Sequence, residues 1–507
     1  MAEASPQPRP TSIGADNERQ LAALDLGSNS FHLLVAQDNN GRIHVIDKIR
    51  EMVRLAEGLD ISNVLSDEVA ERALDCLRRF SQRLKGLHSA DIRVVGTNTL
   101  RRARNAERFL EEAEKILGVK VEIISGREEA RLIYLGVSHA LEDNFDRRLV
   151  VDIGGGSTEI ILGRQFEAEV MESLHIGCVG MTQRHFADGK LRATAFRKAI
   201  DAAKLEIEPL VSSYAEGGWD TAIGASGTIL AIDEILSHLN PDANGITLEG
   251  LDMIQRAVID AKQLDKLTLP GLPAERAAVF PGGLAVLRGV FESLGIEHMR
   301  PSSGALREGL LYDLIGRVHH RDVRETSVLD LTVRYHIDTA HARRVRESAI
   351  SLLAQVAMAW ELTAPDDKSM LSWAADLHEI GRDIAHSQYH KHGCYLLQHM
   401  DLAGFSRLDQ QDLAGLVRAH RRKFPIDEIA KLSERVMYLA VLLRISVVLH
   451  RNRTATPLPH IAAQAGERHI RLSFPDDWLE QHPLTKLDLE QEAGYLKVIP
   501  VTLEVAE

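Results

Sequence analysis

The sequence predicts an α/β protein with two similar domains around a cleft, followed by an all-α domain and a small α+β cap. Two stretches, residues 21–35 and 149–163, share one pattern: an apolar strand, an Asp-x-Gly turn and a second apolar strand. Strand-like and helix-like segments alternate through about residue 315, which is typical of the α/β class. The pattern is then almost entirely helical from residue 324 to about residue 449, and strand alternation returns after residue 457.

Length bounds the number of domains. The chain has 507 residues, which is enough for three or four domains. The first twenty residues are polar and contain proline, without the apolar segment of a signal peptide, so we expect a disordered arm there. The predicted arm and the four predicted domains cover residues 1–19, 20–135, 136–315, 316–452 and 453–507.

Composition excludes several kinds of partner. No apolar run approaches the roughly 18 residues of a membrane span, and three widely spaced cysteines fit a reducing compartment. We therefore expect a cytoplasmic protein with no integral membrane contact and at most a loose membrane association. The net charge of −13 argues against a nucleic-acid partner, so any positive potential for an anionic substrate has to be local.

The stretch 149–163 carries the clearest chemical signal. Glycines let backbone N–H groups approach a phosphate, and neighbouring hydroxyls add donors. Asp152, at the end of a buried strand, is placed to hold a divalent cation over the same phosphate. A tight glycine hairpin without a ligand is the alternative. The residues concerned are Gly154, Gly155, Gly156, Ser157, Thr158 and Glu159.

The stretch 21–35 repeats this pattern. It offers a carboxylate, a glycine and three polar side chains between two strands, namely Asp25, Gly27, Ser28, Asn29 and Ser30. One such hairpin is weak evidence for a ligand. Because the pattern occurs twice, about a small domain's length apart, we expect two similar domains that each aim a phosphate loop and a carboxylate into one cleft.

The remaining elements of the first domain follow in order. Strand-like pieces continue to residue 59, and Ser66 is placed to cap a helix that reaches residue 84. A strand at 91–96 precedes Thr97 and Arg101, whose hydroxyl and guanidinium suit anion binding at a strand-to-helix junction. The alternative is an ordinary helix cap with a solvated arginine. A helix at 109–117 and a strand at 119–124 complete this part.

The helix that follows begins with two adjacent acids. Ser125 is placed to cap it, and Glu128 stands at the capping-box position. Glu129 is left without a structural task. Acids in a first helical turn usually complement the helix dipole, so spacing alone leaves a functional and a structural role for Glu129 both open.

The second domain adds a third loop of small residues. A helix is predicted at 197–210 and a strand at 221–224. The small residues at the next junction form another phosphate cradle or an ordinary αβ corner. They are Gly224, Ser226, Gly227 and Thr228. Glycines at 282–283 open a helix to residue 291, and Met299 leads into a last helix to residue 315.

Five motifs, in this order and spacing, resemble the bacterial exopolyphosphatase and guanosine pentaphosphate phosphohydrolase family: DLGSNS, SGREEARLI, DIGGGSTE, GASGT and SSGALREG. The resemblance runs from about residue 21 to the C-terminus. It implies that the first two domains have the fold of actin, sugar kinases and acetate kinase (ribonuclease H-like). The long form with a histidine-rich helical domain looks more like exopolyphosphatase than like the short members of the family.

The resemblance implies roles for particular residues of these motifs. Glu129 would be the catalytic base that polarises the attacking water, and Asp152 and Glu159 would hold Mg²⁺ and help to orient that water. The loops at 25–30 and 154–157, Arg101 and the residues 224–228 would bind phosphate. A monovalent cation such as K⁺ is a further candidate cofactor, and a homodimer is the implied assembly.

The helical domain resembles the HD phosphohydrolase fold, whose metal ligands include an adjacent His-Asp pair. Here the corresponding pair is His378 and Glu379, with His341 upstream. Glutamate adds a methylene, so we favour an inactive HD-like scaffold over a second metal site. The basic side chains Arg418, Arg421, Arg422 and Lys423 either guide a long polyanion or form a solvated patch.

The sequence therefore leads to a hydrolase of phosphoric anhydride bonds. The leading hypothesis is Mg²⁺-dependent, processive removal of terminal phosphate from inorganic polyphosphate. The alternative is hydrolysis of guanosine pentaphosphate to the tetraphosphate at the same site. A kinase of the same superfold and a regulator that binds guanosine tetraphosphate or polyphosphate without turnover are weaker, since Glu129, Asp152 and Glu159 are all present.

Overall fold

The computed structural model describes residues 19–39, 42–141, 147–241, 244–318, 322–426 and 433–506. The chain forms two compact units, Met1–His320 and Arg321–Glu507. The predicted arm lies outside the described residues except for Arg19, which begins the first strand.

The first unit contains a five-stranded sheet whose strands are β1 to β5 in chain order. Their order across the sheet is β3-β2-β1-β4-β5. The pairs β1–β2 and β2–β3 are antiparallel, and β4 and β5 join parallel to β1. The predicted hairpin at 21–35 is thus confirmed. The bounds are Arg19–Leu26, Phe31–Asn39, Arg42–Glu51, Ile92–Gly96 and Val121–Ile123.

A second sheet, built of β6 to β10, repeats the first. Its order is β10-β9-β6-β7-β8, with an antiparallel meander followed by two parallel strands. The two sheets therefore have the same topology, which confirms the prediction of two similar domains from the duplicated hairpins. The bounds are Arg147–Ile153, Thr158–Arg164, Glu167–Leu174, Thr221–Ala225 and Met299–Pro301.

Helices surround both sheets. Ser66 caps the first helix by accepting a hydrogen bond from the backbone of Val69, as its position predicts. The described helices of this unit, α1 to α12, are Asp67–Ser81, Asn98–Arg102, Ala106–Leu117, Gly126–Ala140, Cys178–His185, Ala193–Ile207, Val211–Ala215, Ser226–Leu239, Leu248–Asp260, Ala274–Ala277, Phe280–Leu294 and Leu306–Val318.

Helices α4 and α12 join the two sheets. They cross closely, because a Cβ on Gly309 would lie 1.8 Å from the carbonyl oxygen of Leu132. Leu310 of α12 shares one hydrophobic core with Leu34 of the first sheet and Ile161 of the second. This shared core fixes the facing edges of the two sheets and thereby the walls of the cavity between them.

Buried ion pairs reinforce the same junction. Asp313 of α12 accepts hydrogen bonds from Arg93 and Arg131, both at 2.5 Å, and these arginines hold its pKa well below the usual range. Glu128, expected at a capping-box position, accepts two hydrogen bonds from Arg131 at 2.8 and 2.9 Å. Glu128 therefore has a structural task, which leaves Glu129 as the acid free for chemistry.

The second unit is helical with a small three-stranded sheet. The strands β11 to β13 lie side by side in that order, and their bounds are Ala462–Gly466, His469–Ser473 and Thr502–Ala506. The first described helices, α13 to α17, are Val323–Arg334, Thr339–Val356, Pro365–Leu377, Tyr389–His399 and Arg407–Ala419. Three more helices span Glu434–Leu449, Trp478–Gln481 and Pro483–Leu496.

The helical part and the C-terminal sheet share one hydrophobic core. Leu443 of the long central helix, Leu472 of β12 and Leu489 of the last long helix all belong to it and are fully buried. Buried Arg444 donates to the carboxylate of Glu492, at 3.1 Å from Nη2, and so ties these segments together. The residues on either side of the predicted boundary at residue 452 thus fold as one unit.

No helix within the described ranges is both long enough and apolar enough to span a membrane.

Candidate active site

A cavity of about 330 Å³ lies between the two sheets of the first unit. Both hairpin turns line it, together with the first turns of α4, α8 and α12. The predicted site residues in its lining are Asp25, Gly27, Ser28, Asn29, Ser30, Thr97, Glu129, Asp152, Gly154, Gly155, Gly156, Ser157, Glu159, Ser226, Gly227 and Thr228.

The two glycine loops face each other across this cavity. A Cβ on Gly155 would lie 3.1 Å from the Cβ of Ser28, and a Cβ on Gly156 would lie 2.6 Å from Oδ1 of Asn98. Side chains at these glycines would therefore displace the opposite wall. Two glycine-containing turns at this separation can both direct backbone N–H groups at one small anion.

The first loop is held in place by its neighbours. Thr99 donates a hydrogen bond to Ser28 at 2.8 Å, between their hydroxyl oxygens. The carbonyl of Asn29 accepts from the backbone N–H of Arg54, also at 2.8 Å. These contacts order the loop before any ligand arrives, which lowers the entropic cost of binding.

Four carboxylates converge on the cavity, namely Asp25, Glu129, Asp152 and Glu159; Asp25 is half-buried and the other three are buried. Burial, with the neighbouring charge of Glu129, raises the pKa of Asp25 to about 8 and that of Asp152 to about 7. Burial and Glu129 raise the pKa of Glu159 as well. Carboxylates this close together, and largely removed from solvent, repel one another unless a cation or protons compensate their charge.

This arrangement fits a bound Mg²⁺. The donors are carboxylate oxygens, which Mg²⁺ prefers. Oδ1 of Asp25 is buried and has no hydrogen-bond partner among the residues that the structure describes. Asp152 and Glu159 stand opposite each other on β6 and β7, so both carboxylates rise from neighbouring strands. These three side chains are the residues that would hold the ion.

Glu129 stands in the first turn of α4 and has one cationic neighbour. Nη1 of Arg101 lies 3.3 Å from its carboxylate and also donates to the carbonyl of Ile124 at 2.8 Å. Arg101 opposes the rise in the pKa of Glu129 that burial causes. The structure thus places Arg101, predicted to bind phosphate, beside the carboxylate of Glu129. Ser173 positions the other acid by donating to Glu159 at 2.7 Å.

Two further residues that were predicted to bind phosphate, Thr158 and Gly224, do not line the cavity. The hydroxyl of Thr158 donates to the carbonyl of Ile176 at 2.6 Å, so its only proton is already used within the fold. Gly224 lies inside β9 and packs against Ile229 rather than lining the cavity. The third loop therefore begins at Ser226, where β9 passes directly into α8 with a positive φ of 84°.

Four cations also line the cavity, and sequence reasoning missed them; together they are called its basic wall. They are Lys48, Arg50, Arg276 and Arg307. Arg276 packs against Gly227, because a Cβ there would lie 1.6 Å from its Nη2. Burial and the charge of Arg50 lower the pKa of Arg276 to about 10, so the two guanidiniums lie close enough to repel each other.

His32 links the basic wall to the first phosphate loop. Arg307 donates to its Nδ1 at 2.5 Å, so the ring proton must lie on Nε2, which is 2.8 Å from the hydroxyl of Ser30. That hydroxyl accepts from His32, and its own proton is left to point into the cavity. Burial and Arg307 hold the pKa of His32 well below its usual range, so the ring stays neutral.

We expect the His32→Phe variant to lose about 5- to 30-fold in kcat/KM, the equivalent of one or two hydrogen bonds. The measurement is phosphate release by wild type, His32→Phe, Ser30→Ala and the double variant. If His32 acts through Ser30, the double variant is no worse than Ser30→Ala. Additive losses would show that the two side chains act separately.

The basic segment 418–423 lies in the second unit. Arg418 and Arg421 are half-buried, and Arg421 stacks over the ring of Tyr389 at 4.4 Å. Arg422 and Lys423 are exposed. These side chains have the exposure that a contact with a polyanion requires, and their role in a polyphosphate path stays a prediction.

Known proteins match this chain over most of its length. Residues 34–318 match the Ppx/GppA phosphatase family, and residues 323–493 match domain III of that family. A relative from Photobacterium profundum, named guanosine-5'-triphosphate,3'-diphosphate pyrophosphatase, is 42% identical over 474 residues, covering 93% of this chain and 95% of the relative. A protein of the same name from Vibrio cholerae is 43% identical over 478 residues, with coverages of 93% and 95%.

Two solved structures support the fold. An exopolyphosphatase from Cytophaga hutchinsonii matches with a TM-score of 0.54 and 25% identity, covering 59% of this chain and 98% of that one. A Ppx/GppA family member from Aquifex aeolicus matches with a TM-score of 0.51 and 24% identity, covering 60% and 99%. These matches confirm the predicted pair of actin-like domains, and the second unit of this chain is the predicted helical region that follows them. The chain belongs to the Ppx/GppA phosphatase family and is a hydrolase of phosphoric anhydride bonds.

Proposed function

We propose that the protein removes the terminal 5'-phosphate of guanosine 5'-triphosphate 3'-diphosphate to give the tetraphosphate. The observation that carries this proposal is the identity of 42–43%, over more than nine-tenths of the chain, to relatives named for that substrate. The exopolyphosphatase with a similar fold is more distant, at 25% identity. The alternative from the sequence is therefore better supported than its leading hypothesis.

The polarity of the cavity suits this substrate. The glycine loops and the carboxylates line the same cavity as the basic wall of Lys48, Arg50, Arg276 and Arg307. A guanosine pentaphosphate carries two anionic groups on one nucleoside, at its 5' and 3' positions. Guanidiniums form paired hydrogen bonds with phosphate oxygens, so the basic wall can hold the phosphates that do not react while the loops hold the one that does.

The reaction is transfer of the terminal phosphoryl group to water. Glu129 accepts a hydrogen bond from that water and receives its proton as the new P–O bond forms. The N–H groups of the two glycine loops and the hydroxyl of Ser30 stabilise the charge on the equatorial oxygens. Bound Mg²⁺ would supply further charge neutralisation at the carboxylates. The leaving tetraphosphate departs as an anion held by the basic wall.

The test compares phosphate release from guanosine pentaphosphate, GTP and long-chain polyphosphate by the purified chain with Mg²⁺. We expect kcat/KM to be highest for the pentaphosphate and lower for GTP, which lacks the 3'-diphosphate that the basic wall would hold. Glu129→Gln is the inactive control for all three substrates. A higher kcat/KM with polyphosphate, and no intermediate-length products, would overturn the proposal in favour of exopolyphosphatase.

Exopolyphosphatase activity is the second candidate, and the basic segment 418–423 is the observation that favours it. If this segment guides a polyanion, replacing Arg418, Arg421, Arg422 and Lys423 by Gln should weaken hydrolysis of long chains and spare short ones. The matched control replaces four dispersed, exposed lysines, namely Lys85, Lys120, Lys368 and Lys497. An equal effect at every chain length would exclude a guiding role.

A further inference from the structure

A buried cluster in the second unit combines histidines with one carboxylate. One ring nitrogen each of His341 and His378 and one carboxylate oxygen of Glu379 all lie within 4.8 Å of one another. The three residues are 4%, 1% and 7% exposed. His341 stands in the first turn of α14, while His378 directly follows the last residue of α15. Two separate helices therefore bring these groups together.

The hydrogen bonds of the histidines leave lone pairs inside the cluster. Nδ1 of His378 lies 2.7 Å from the carbonyl of Ala375, which can only accept, so the ring proton lies on Nδ1 and Nε2 carries a lone pair. His420 makes the same contact with Val417 at 2.6 Å. The rings of His378 and His420 are neighbours, with centroids 5.3 Å apart.

Two of these ring nitrogens are not paired. Within the described residues, Nδ1 of His341 and Nε2 of His420 are buried and have no hydrogen-bond partner. Hydrogen bonds to helix carbonyls explain one nitrogen of His378 and of His420, as ordinary helix ends would. They do not explain why one ring nitrogen of His341 lies close to one of His378 in the buried interior, where an unpaired polar atom costs free energy.

The charges around Glu379 keep it ionised. Arg382 donates to both of its oxygens at 3.0 Å, and Arg453 pairs with it as well. Asp338 is a second acid beside Arg453, at 3.4 Å. Carboxylates that ligate metals are commonly held by such outer hydrogen bonds. An anion would find no donors on the inner ring nitrogens, so the cluster suits a cation that accepts lone pairs.

We propose that His341, His378 and Glu379 bind one divalent transition-metal ion, next to the ring of His420. Ligand atoms about 2.0–2.2 Å from one ion lie at most about 4.4 Å apart, so only small side-chain rotations close this cluster around it. Imidazole nitrogens favour ions such as Zn²⁺ or Ni²⁺ over Mg²⁺. The longer glutamate, which from the sequence argued for an inactive scaffold, reaches the cluster in the structure.

This site differs in chemistry from the one in the first unit. There the candidate ligands are carboxylates, and here histidines predominate. The two sites are therefore expected to bind different ions from one solution. A transition-metal ion should remain on the second unit in the presence of excess Mg²⁺, whatever the substrate of the first unit is.

The test is metal analysis of the full chain. The purified protein is stripped with a chelator, incubated with Zn²⁺ or Ni²⁺ in excess Mg²⁺, desalted and analysed for bound metal. We expect one tightly bound transition-metal ion per chain. His378→Ala and His341→Ala should weaken its affinity by about 100-fold or more, because a ligand matters at least as much as an outer-shell partner.

Two controls separate this site from others. His336→Ala, at a histidine outside the cluster with an exposed side chain, and Asp152→Asn, in the first unit, should both keep the ion. The proposal would be overturned if His378→Ala retained the transition-metal ion, if Asp152→Asn lost it, or if wild type bound none. Should the histidine variants fail to fold, the absorption spectrum of Co²⁺-loaded wild type decides. Nitrogen-ligated Co²⁺ supports the site, and a spectrum like that of aqueous Co²⁺ contradicts it.

Discussion

We expect the Glu129→Gln variant to lose about 10²- to 10⁴-fold in kcat while binding guanosine pentaphosphate within a few-fold of wild type. Glutamine keeps the shape of the side chain and an oxygen that can accept from Arg101. It cannot take the proton of the attacking water, so the loss should fall on the chemical step. Single-turnover phosphate release and equilibrium binding of the substrate separate the two effects.

The matched control for this prediction is Glu128→Gln. Glu128 is adjacent, buried and in the same helical turn, and its carboxylate pairs with Arg131. Weakening that pair should reduce the free energy of unfolding but leave kcat of the folded protein nearly unchanged. Equal losses of kcat in the two variants would show that this end of α4 matters only as a scaffold, and would remove Glu129 from the role of base.

The two hairpins and their acids could be predicted from the sequence, and the reason is local. Asp25 and Asp152 each lie at the end of a strand, two residues before the first glycine of a turn. The flanking apolar strands determine which way that turn faces. The role of Glu129 needed more than its spacing, because an acid in a first helical turn has an ordinary explanation. The structure supports it by giving the adjacent Glu128 an ion pair of its own.

The basic wall could not be predicted in the same way. Lys48 and Arg50 alternate along β3, Arg276 lies in a short helix and Arg307 opens α12. Only the packing of the two sheets brings these distant segments to one cavity. The SSGALREG motif contains Arg307, so it was the one available signal. Thr158 was instead predicted to bind phosphate but donates to a backbone carbonyl. A hydroxyl beside a turn can face either the cavity or the backbone, and the sequence does not distinguish the two.

We expect the Asp152→Asn variant to be inactive and yet more stable than wild type at pH 8 without Mg²⁺. The pKa of Asp152 is raised from its ordinary 3.8 to about 7, so the folded state binds a proton more tightly than the unfolded state does. The stability that this tighter proton binding contributes to the folded state is present at acidic pH and is lost as the pH rises from about 4 through about 7. A shift of about three pKa units corresponds to about 4 kcal/mol, which asparagine does not lose.

Urea unfolding with a chelator between pH 4 and pH 8.5 measures this difference. The free energies of unfolding of the two proteins should nearly coincide at pH 4 and separate towards pH 8, where the raised pKa values of Asp25 and Glu159 destabilise both proteins. Added Mg²⁺ should stabilise wild type most at high pH, because the ion competes with protons, and should stabilise the variant little. Asp188→Asn, at the surface, should respond to Mg²⁺ like wild type. If wild type were already as stable as the variant at pH 8 without Mg²⁺, Asp152 would carry no buried charge there. Its assignment as a ligand of the ion would then fail.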